Sequence, residues 1–169
     1  IEETDLFEDV WDITVYDDTH CFALANIITG NCGEITLQAI PVDSEHIKGG
    51  GWQFCNLSSF NARNYDTKES LVEKVKIATL IGDIQSLATN FDFLRPGTKQ
   101  ICDEERLLGV NLVGYATCSL IRNDAAFVRE LRQLVYETDK GFAKQFDVPI
   151  SAAMTSVKPS GNHQVLCYS

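Results

Sequence analysis

The sequence predicts an α/β fold preceded by a short all-β stretch, on three observations. Residues 66–89 and 123–146 repeat apolar side chains at helical spacing. Short β-prone runs alternate with those two segments, the pattern of strands crossed over by helices. Ahead of them, residues 10–29 hold only short β-prone runs around the turn-forming Asp17-Asp18-Thr19.

Taken in order, residues 1–9 carry five acidic side chains and no base, and read as a ragged start. Strands are predicted over 10–15, 21–25 and 25–29, then over 36–40, with a loop from 41 closing on Gly49-Gly50-Gly51 and another strand over 52–57. Asp66-Thr67-Lys68-Glu69 reads as a capping box opening a helix to about residue 89, with Leu71, Val75, Ala78, Ile81 and Ile84 on its inner face. Gly82 in that helix costs about 1 kcal/mol relative to Ala, so it marks close packing. Arg95-Pro96-Gly97 breaks the chain, and the apolar, glycine-punctuated run 107–113 reads as a buried strand. Asn123 is the expected cap of a helix to about 146, with Phe127, Leu131, Leu134, Val135, Thr138 and Phe142 inward. Val148-Pro149 ends it, and a strand over 152–157 leads into Lys158-Pro159-Ser160-Gly161-Asn162.

Composition narrows the function. A length of 169 residues, 44% hydrophobic and 22% charged, fits a soluble globular chain, and no apolar run reaches the roughly 20 residues of a membrane span. No basic segment followed by an apolar one marks export, so a cytoplasmic location is expected, with no membrane partner. A net charge of −10 argues against wrapping nucleic acid, although a local cradle of backbone amides can still hold one phosphate. Six cysteines without a tight Cys-x-x-Cys spacing point to reduced thiols rather than disulfides, and no metal site is expected. Cys102, Cys118 and Cys167 read as packing residues.

Chemistry concentrates at Ile27-Ile28-Thr29-Gly30-Asn31-Cys32-Gly33-Glu34-Ile35. The Asn31 side-chain amide can attack its own carbonyl and cut the chain, while the Cys32 thiolate can hold a transferred acyl group. Cys32 and Glu34, two apart on an extended chain, point to one face, so a sulfur and a base can address one substrate. Taken alone, each feature also reads blandly: Cys55 as a packed strand thiol, His20 as a turn histidine, residues 158–162 as an ordinary Pro-Ser-Gly turn.

Longer motifs carry two resemblances. Residues 10–32, VWDITVYDDTHCFALANIITGNC, resemble the end of an intein, a self-excising segment with a terminal Asn and a following nucleophile. Residues 32–169 resemble the catalytic chain of a ribonucleotide reductase, through CGEI, WQFCNLSSFN, ERLLGVNLVG and TSVKPSGN in that order. The resemblance implies two domains, an all-β intein C-terminal segment at 1–31 and part of a ten-stranded α/β barrel at 32–169.

It also implies roles. His20 would assist cyclisation of Asn31, with Cys32 as the splicing nucleophile; Gly30 stands where inteins usually have His, which shifts proton transfer onto His20. In the spliced enzyme Cys32 would be the thiyl radical, Glu34 the base and Cys55 one of the reducing pair. Such chemistry answers the problem of an unactivated ribose 2′-carbon: abstraction of the 3′ hydrogen makes the neighbouring hydroxyl a leaving group, and two thiols supply the electrons. Lys158, Ser160, Gly161 and Asn162 would bind the substrate phosphate. The closest resemblance is to adenosylcobalamin-dependent ribonucleoside-triphosphate reductases, with a ribonucleotide as substrate, thioredoxin or glutaredoxin as reductant, and a complementary N-terminal intein and reductase portion as partner. Two alternatives stay open: a metal-cofactor-dependent diphosphate reductase, and the C-terminal half of a split intein acting only in trans-splicing.

Overall fold

The computed structural model describes residues 21–24, 27–30 and 37–158. The chain divides into two compact units, residues 1–36 and 37–169. In the first, β1 (Cys21–Leu24) and β2 (Ile27–Gly30) form an antiparallel hairpin in register Cys21 to Gly30 and Leu24 to Ile27. Two of the expected strands are thus present; the one over 10–15 lies outside the described residues.

The second unit opens with a small antiparallel pair, β3 (Ala39–Ile40) and β4 (Gly51–Trp52). The strand expected over 52–57 is corrected: Gln53-Phe54-Cys55 is irregular, and β5 runs later, Asn56–Asn61. The reason is tertiary. From Asn56 onward the backbone finds a parallel partner in β6 (Leu108–Val113), in register from Asn56 and Leu108 to Asn61 and Val113. Residues 153–156 continue the sheet beyond β6, with Leu108 N–H donating to Ala153 O, Val110 N–H to Met154 O and Ser156 N–H to Val110 O at 2.8–3.2 Å. Strands lie side by side in chain order, each reached by a helical crossover, as parallel sheets require. Among the described residues no sheet closes on itself.

Helix α1 (Lys68–Ser86) crosses from β5 toward β6. Its cap lies one residue beyond the expected box: the Thr67 side chain accepts from Ser70 N–H at 3.2 Å and Ser70 Oγ accepts from Thr67 N–H at 3.1 Å, while Asp66 takes the Lys74 ammonium instead. Leu71, Val75 and Ala78 are buried as expected, but Ile81 and Ile84 are exposed, and Thr79, Gly82, Asp83 and Ser86 take the inner face. Gly82 is the pivot. A Cβ there would stand 3.4 Å from Leu108 Cδ2 and 3.6 Å from Asn56 O, so its absence lets the helix lie close on the sheet and turns the two isoleucines outward.

Pro96 starts a helix rather than breaking one. It occupies the first turn of α2 (Pro96–Glu105), where its missing N–H costs nothing. Gly97 and Gly51 let α2 touch β4 backbone to backbone, over a small core of Ile40, Ile47, Ile101 and Cys102. After β6 comes the short α3 (Ser119–Arg122), then α4 (Ala125–Phe146), capped by Asp124, whose carboxylate accepts from Phe127 N–H at 2.9 Å. Asn123, the expected cap, instead closes α3. The main core joins Phe60 and Val110 of the sheet to Leu71 and Val75 of α1 and Phe127, Leu131 and Val135 of α4, with Cys118 inside. No helix among the described residues is long and apolar enough to cross a membrane.

Candidate functional site

His20, Asn31, Cys32, Glu34, Ser160, Gly161 and Asn162 lie outside the described residues; Cys55 and Lys158 lie inside. Three of the four reductase-like motifs sit side by side as parallel neighbours: WQFCNLSSFN supplies β5, ERLLGVNLVG supplies β6, and TSVKPSGN begins in the segment beside β6.

Strand alternation divides the sheet into two faces. Phe60 and Val110 point into the helical core. The opposite face gathers side chains around Gly109, where an added Cβ would meet the end of Leu57, Cys55 Sγ at 2.9 Å and Ser156 Oγ at 3.1 Å. The missing side chain at Gly109 is therefore what lets the Cys55 sulfur lie over β6. Further along the same face, Ser59 and Asn111 are register partners. Lys158 ties to both: its backbone N–H donates to Asn111 Oδ1 at 3.1 Å and its ammonium donates to Ser59 Oγ at 3.2 Å. So Cys55 and Lys158, 103 positions apart in the chain (158 minus 55), belong to one face of one sheet.

The face is rich in donors. Asn111 is 3% exposed, and neither its Nδ2 nor Ser156 Oγ has a hydrogen-bond partner among the described residues. Among the described residues no carboxylate pairs with Lys158. Sequence reading missed Ser59, Asn111 and Ser156. The available signal was Asn111 itself, a polar side chain inside the apolar run Leu107-Leu108-Gly109-Val110-Asn111-Leu112-Val113. On the helical side, a cavity of about 300 Å³ opens between the sheet and α4, walled by apolar residues including Phe60, Leu112 and Val128.

A second polar cluster lies before the starts of β6 and the 153–156 segment. Arg106, left-handed at φ 45°, is almost fully buried and donates to Asp83 Oδ1 at 2.9 Å, Ser86 Oγ at 3.0 Å and the Pro149 carbonyl. Asp139 stands 3.7 Å from the same guanidinium and accepts from Ser151 Oγ at 2.6 Å and Ser151 N–H at 3.1 Å. Two carboxylates thus share one cation out of water. Burial first, then the neighbouring Asp139 carboxylate, push the Asp83 carboxyl up to about 7, against the pull of Arg106. This cluster clamps α1, α4 and the sheet together.

Cys102 and Cys118 are buried thiols; burial raises the Cys102 thiol, and Cys118 Sγ donates to Arg63 O at 3.4 Å. Among the described residues no group of three or more His, Cys, Asp or Glu could hold a metal ion. No protein-family model matches the chain, and no curated protein or solved structure matches it either.

Proposed function

We propose that the chain is part of a ribonucleotide reductase precursor, interrupted before Cys32 by an intein that excises between Asn31 and Cys32. The observation that supports this reading best is the shared face. A redox thiol and a phosphate-binding loop must address one substrate, and Cys55 lies on the same side of the sheet as the Lys158 that opens Lys158-Pro159-Ser160-Gly161-Asn162.

In the spliced enzyme, the Cys32 thiyl removes the 3′ hydrogen, Glu34 takes the 3′-hydroxyl proton, the 2′-hydroxyl takes a proton from one of the reducing thiols and leaves as water, and Cys32 finally returns the 3′ hydrogen, which regenerates the thiyl. Cys55 and a second thiol from another part of the protein supply two electrons and close a disulfide, which a thioredoxin or glutaredoxin then reopens. Adenosylcobalamin would supply the initiating radical. In this reading its binding falls mostly to other parts of the protein. The location in this reading is the cytoplasm.

Supplying the complementary N-terminal portion tests both halves. Mass spectrometry should show release of a segment ending at Asn31 and a ligated product carrying Cys32, and Asn31→Ala should abolish that product. The ligated enzyme should convert a ribonucleoside triphosphate to its deoxy form, dependent on cobalamin and lost in Cys32→Ser and Cys55→Ser. A fully active Cys32→Ser enzyme overturns the redox reading; an unchanged product from Asn31→Ala overturns the splicing one. A strict need for a separate radical-generating subunit moves the assignment to the diphosphate reductases.

A further inference from the structure

Two side chains converge where Gly109 has none. A Cβ built on Gly109 would stand 2.9 Å from Cys55 Sγ and 3.1 Å from Ser156 Oγ, so the two atoms lie no farther apart than 6.0 Å, those distances laid end to end. Cys55 comes in from the β5 side of β6, and Ser156 from the segment on its far side. Ser156 Oγ is shut off from water and has no hydrogen-bond partner among the described residues. A hydroxyl enclosed in that state costs stability until an acceptor reaches it. The neutral thiol is a weak acceptor and leaves the hydroxyl unbonded, whereas a thiolate draws a charge-assisted hydrogen bond.

We propose that Ser156 is a positioning residue for Cys55, its hydroxyl turning to donate to the Cys55 thiolate over Gly109. This role rests on the reading above, in which Cys55 is one of the reducing thiols. Turning one serine about χ1 moves no backbone. A hydrogen bond to the charged form favours ionisation, and a thiol that ionises readily both gives up its proton and leaves readily when its disulfide is reopened. The charged groups on the elements around Cys55 are engaged elsewhere. On and before α2, Arg95 lies over the Trp52 ring, Lys99 holds Asp103, His46 meets Glu104, and Glu105 accepts from Gln53 Nε2 at 2.6 Å. Arg106 is turned to Asp83, and Lys158 to Ser59. A neutral donor is what this face has left for the sulfur, and Ser156 Oγ stands beside it.

Alkylation of Cys55 by iodoacetamide in the full 169-residue chain, followed by peptide mapping between pH 6 and 10.5, gives the pH at which the thiol ionises and the limiting rate above it. Ser156→Ala should raise that ionisation midpoint by about 0.5–1 unit, which is roughly a three- to tenfold smaller thiolate fraction at pH 7, and should leave the limiting rate within about threefold. Ser156→Thr, which keeps a hydroxyl, should restore the midpoint. Loosened packing would instead change the rate at every pH. Because the hydroxyl is unpartnered in the folded chain, Ser156→Ala should not lower the thermal midpoint, and the variant stays folded for the measurement. An unchanged ionisation midpoint in Ser156→Ala, a Ser156→Thr that stays shifted, or a change in limiting rate alone overturns the role. The outcome separates from that of the reductase reading. Full activity of Cys55→Ser in the ligated enzyme beside a shifted midpoint sinks the reading and keeps the serine–thiolate bond, and an unshifted midpoint beside an inactive Cys55→Ser does the reverse.

Discussion

Arg106 Nη2 donates to Asp83 Oδ1 at 2.9 Å with both side chains almost wholly out of water, and the Asp139 carboxylate shares the same guanidinium. One cation cannot neutralise two buried carboxylates, so Asp83 keeps its proton up to about pH 7.

A pH dependence follows. The folded-state value stands above the ordinary 3.8, so between about pH 4 and 7 the folded chain holds a proton that the unfolded chain has released. The contribution to stability is complete below the ordinary value and is lost as pH rises through about 7. Asp83→Asn keeps an oxygen for Arg106 and removes the titration. Urea denaturation of both proteins from pH 4.5 to 8 should show the variant gaining on the wild type as pH rises, with the difference levelling above 7. Parallel curves would refute the shared-proton account.

Arg106→Met should be far more damaging than Asp83→Asn. It fills much of the same space but leaves Asp83 and Asp139 buried without a cation, at a cost of about 3–5 kcal/mol. Chemical denaturation at pH 8 measures it, and the double variant Arg106→Met, Asp83→Asn should recover part of the loss, because the amide is neutral at every pH whereas the Asp83 carboxyl must take up a proton to be so.

Gly109 controls where the Cys55 sulfur lies. A Cβ at 109 would stand 2.9 Å from Cys55 Sγ and collide with the end of Leu57. Gly109→Ala should cost about 1–3 kcal/mol by overpacking and change the rate at which Cys55 reacts with iodoacetamide. Gly141, with nothing within 4 Å of an added Cβ, is the control: Gly141→Ala should leave the labelling unchanged and raise stability by up to about 1 kcal/mol, because it sits in a helix interior.

Thiol reactivity should separate Cys55, Cys102 and Cys118. Cys55 is partly accessible, whereas Cys118 is fully buried and Cys102 nearly so, with its thiol raised by burial. Peptide mapping after brief alkylation at pH 8 should find Cys55 modified well before either of the other two. Equal rates would contradict this packing.

Periodicity carried much of the fold. Leu71, Val75 and Ala78 in α1, and Phe127, Leu131, Val135 and Phe142 in α4, face inward because side chains three and four apart share a helix surface whatever surrounds them. The strand at Leu108–Val113 was equally legible as an apolar run, and Gly82 as a contact point. Where the reading slipped, a partner distant in sequence had the deciding vote. Strand β5 starts at Asn56 because β6 pairs with it there, Ile81 and Ile84 turn outward because the sheet meets the helix at Gly82, and Pro96 opens a helix because α2 has β4 to lie on.

The candidate site divides the same way. The residue types suited to radical and phosphate chemistry, Cys55 and Lys158 among them, are set by the amino-acid order alone, as is the run of motifs that suggested a reductase. That Lys158 bonds to Ser59 and Asn111, and that Arg106 sits between Asp83 and Asp139, was decided only when the crossovers brought separate segments together. Spacing along a chain constrains neighbours within one helix or strand, whereas these contacts join different elements, and their geometry exists only once the sheet has its order and register.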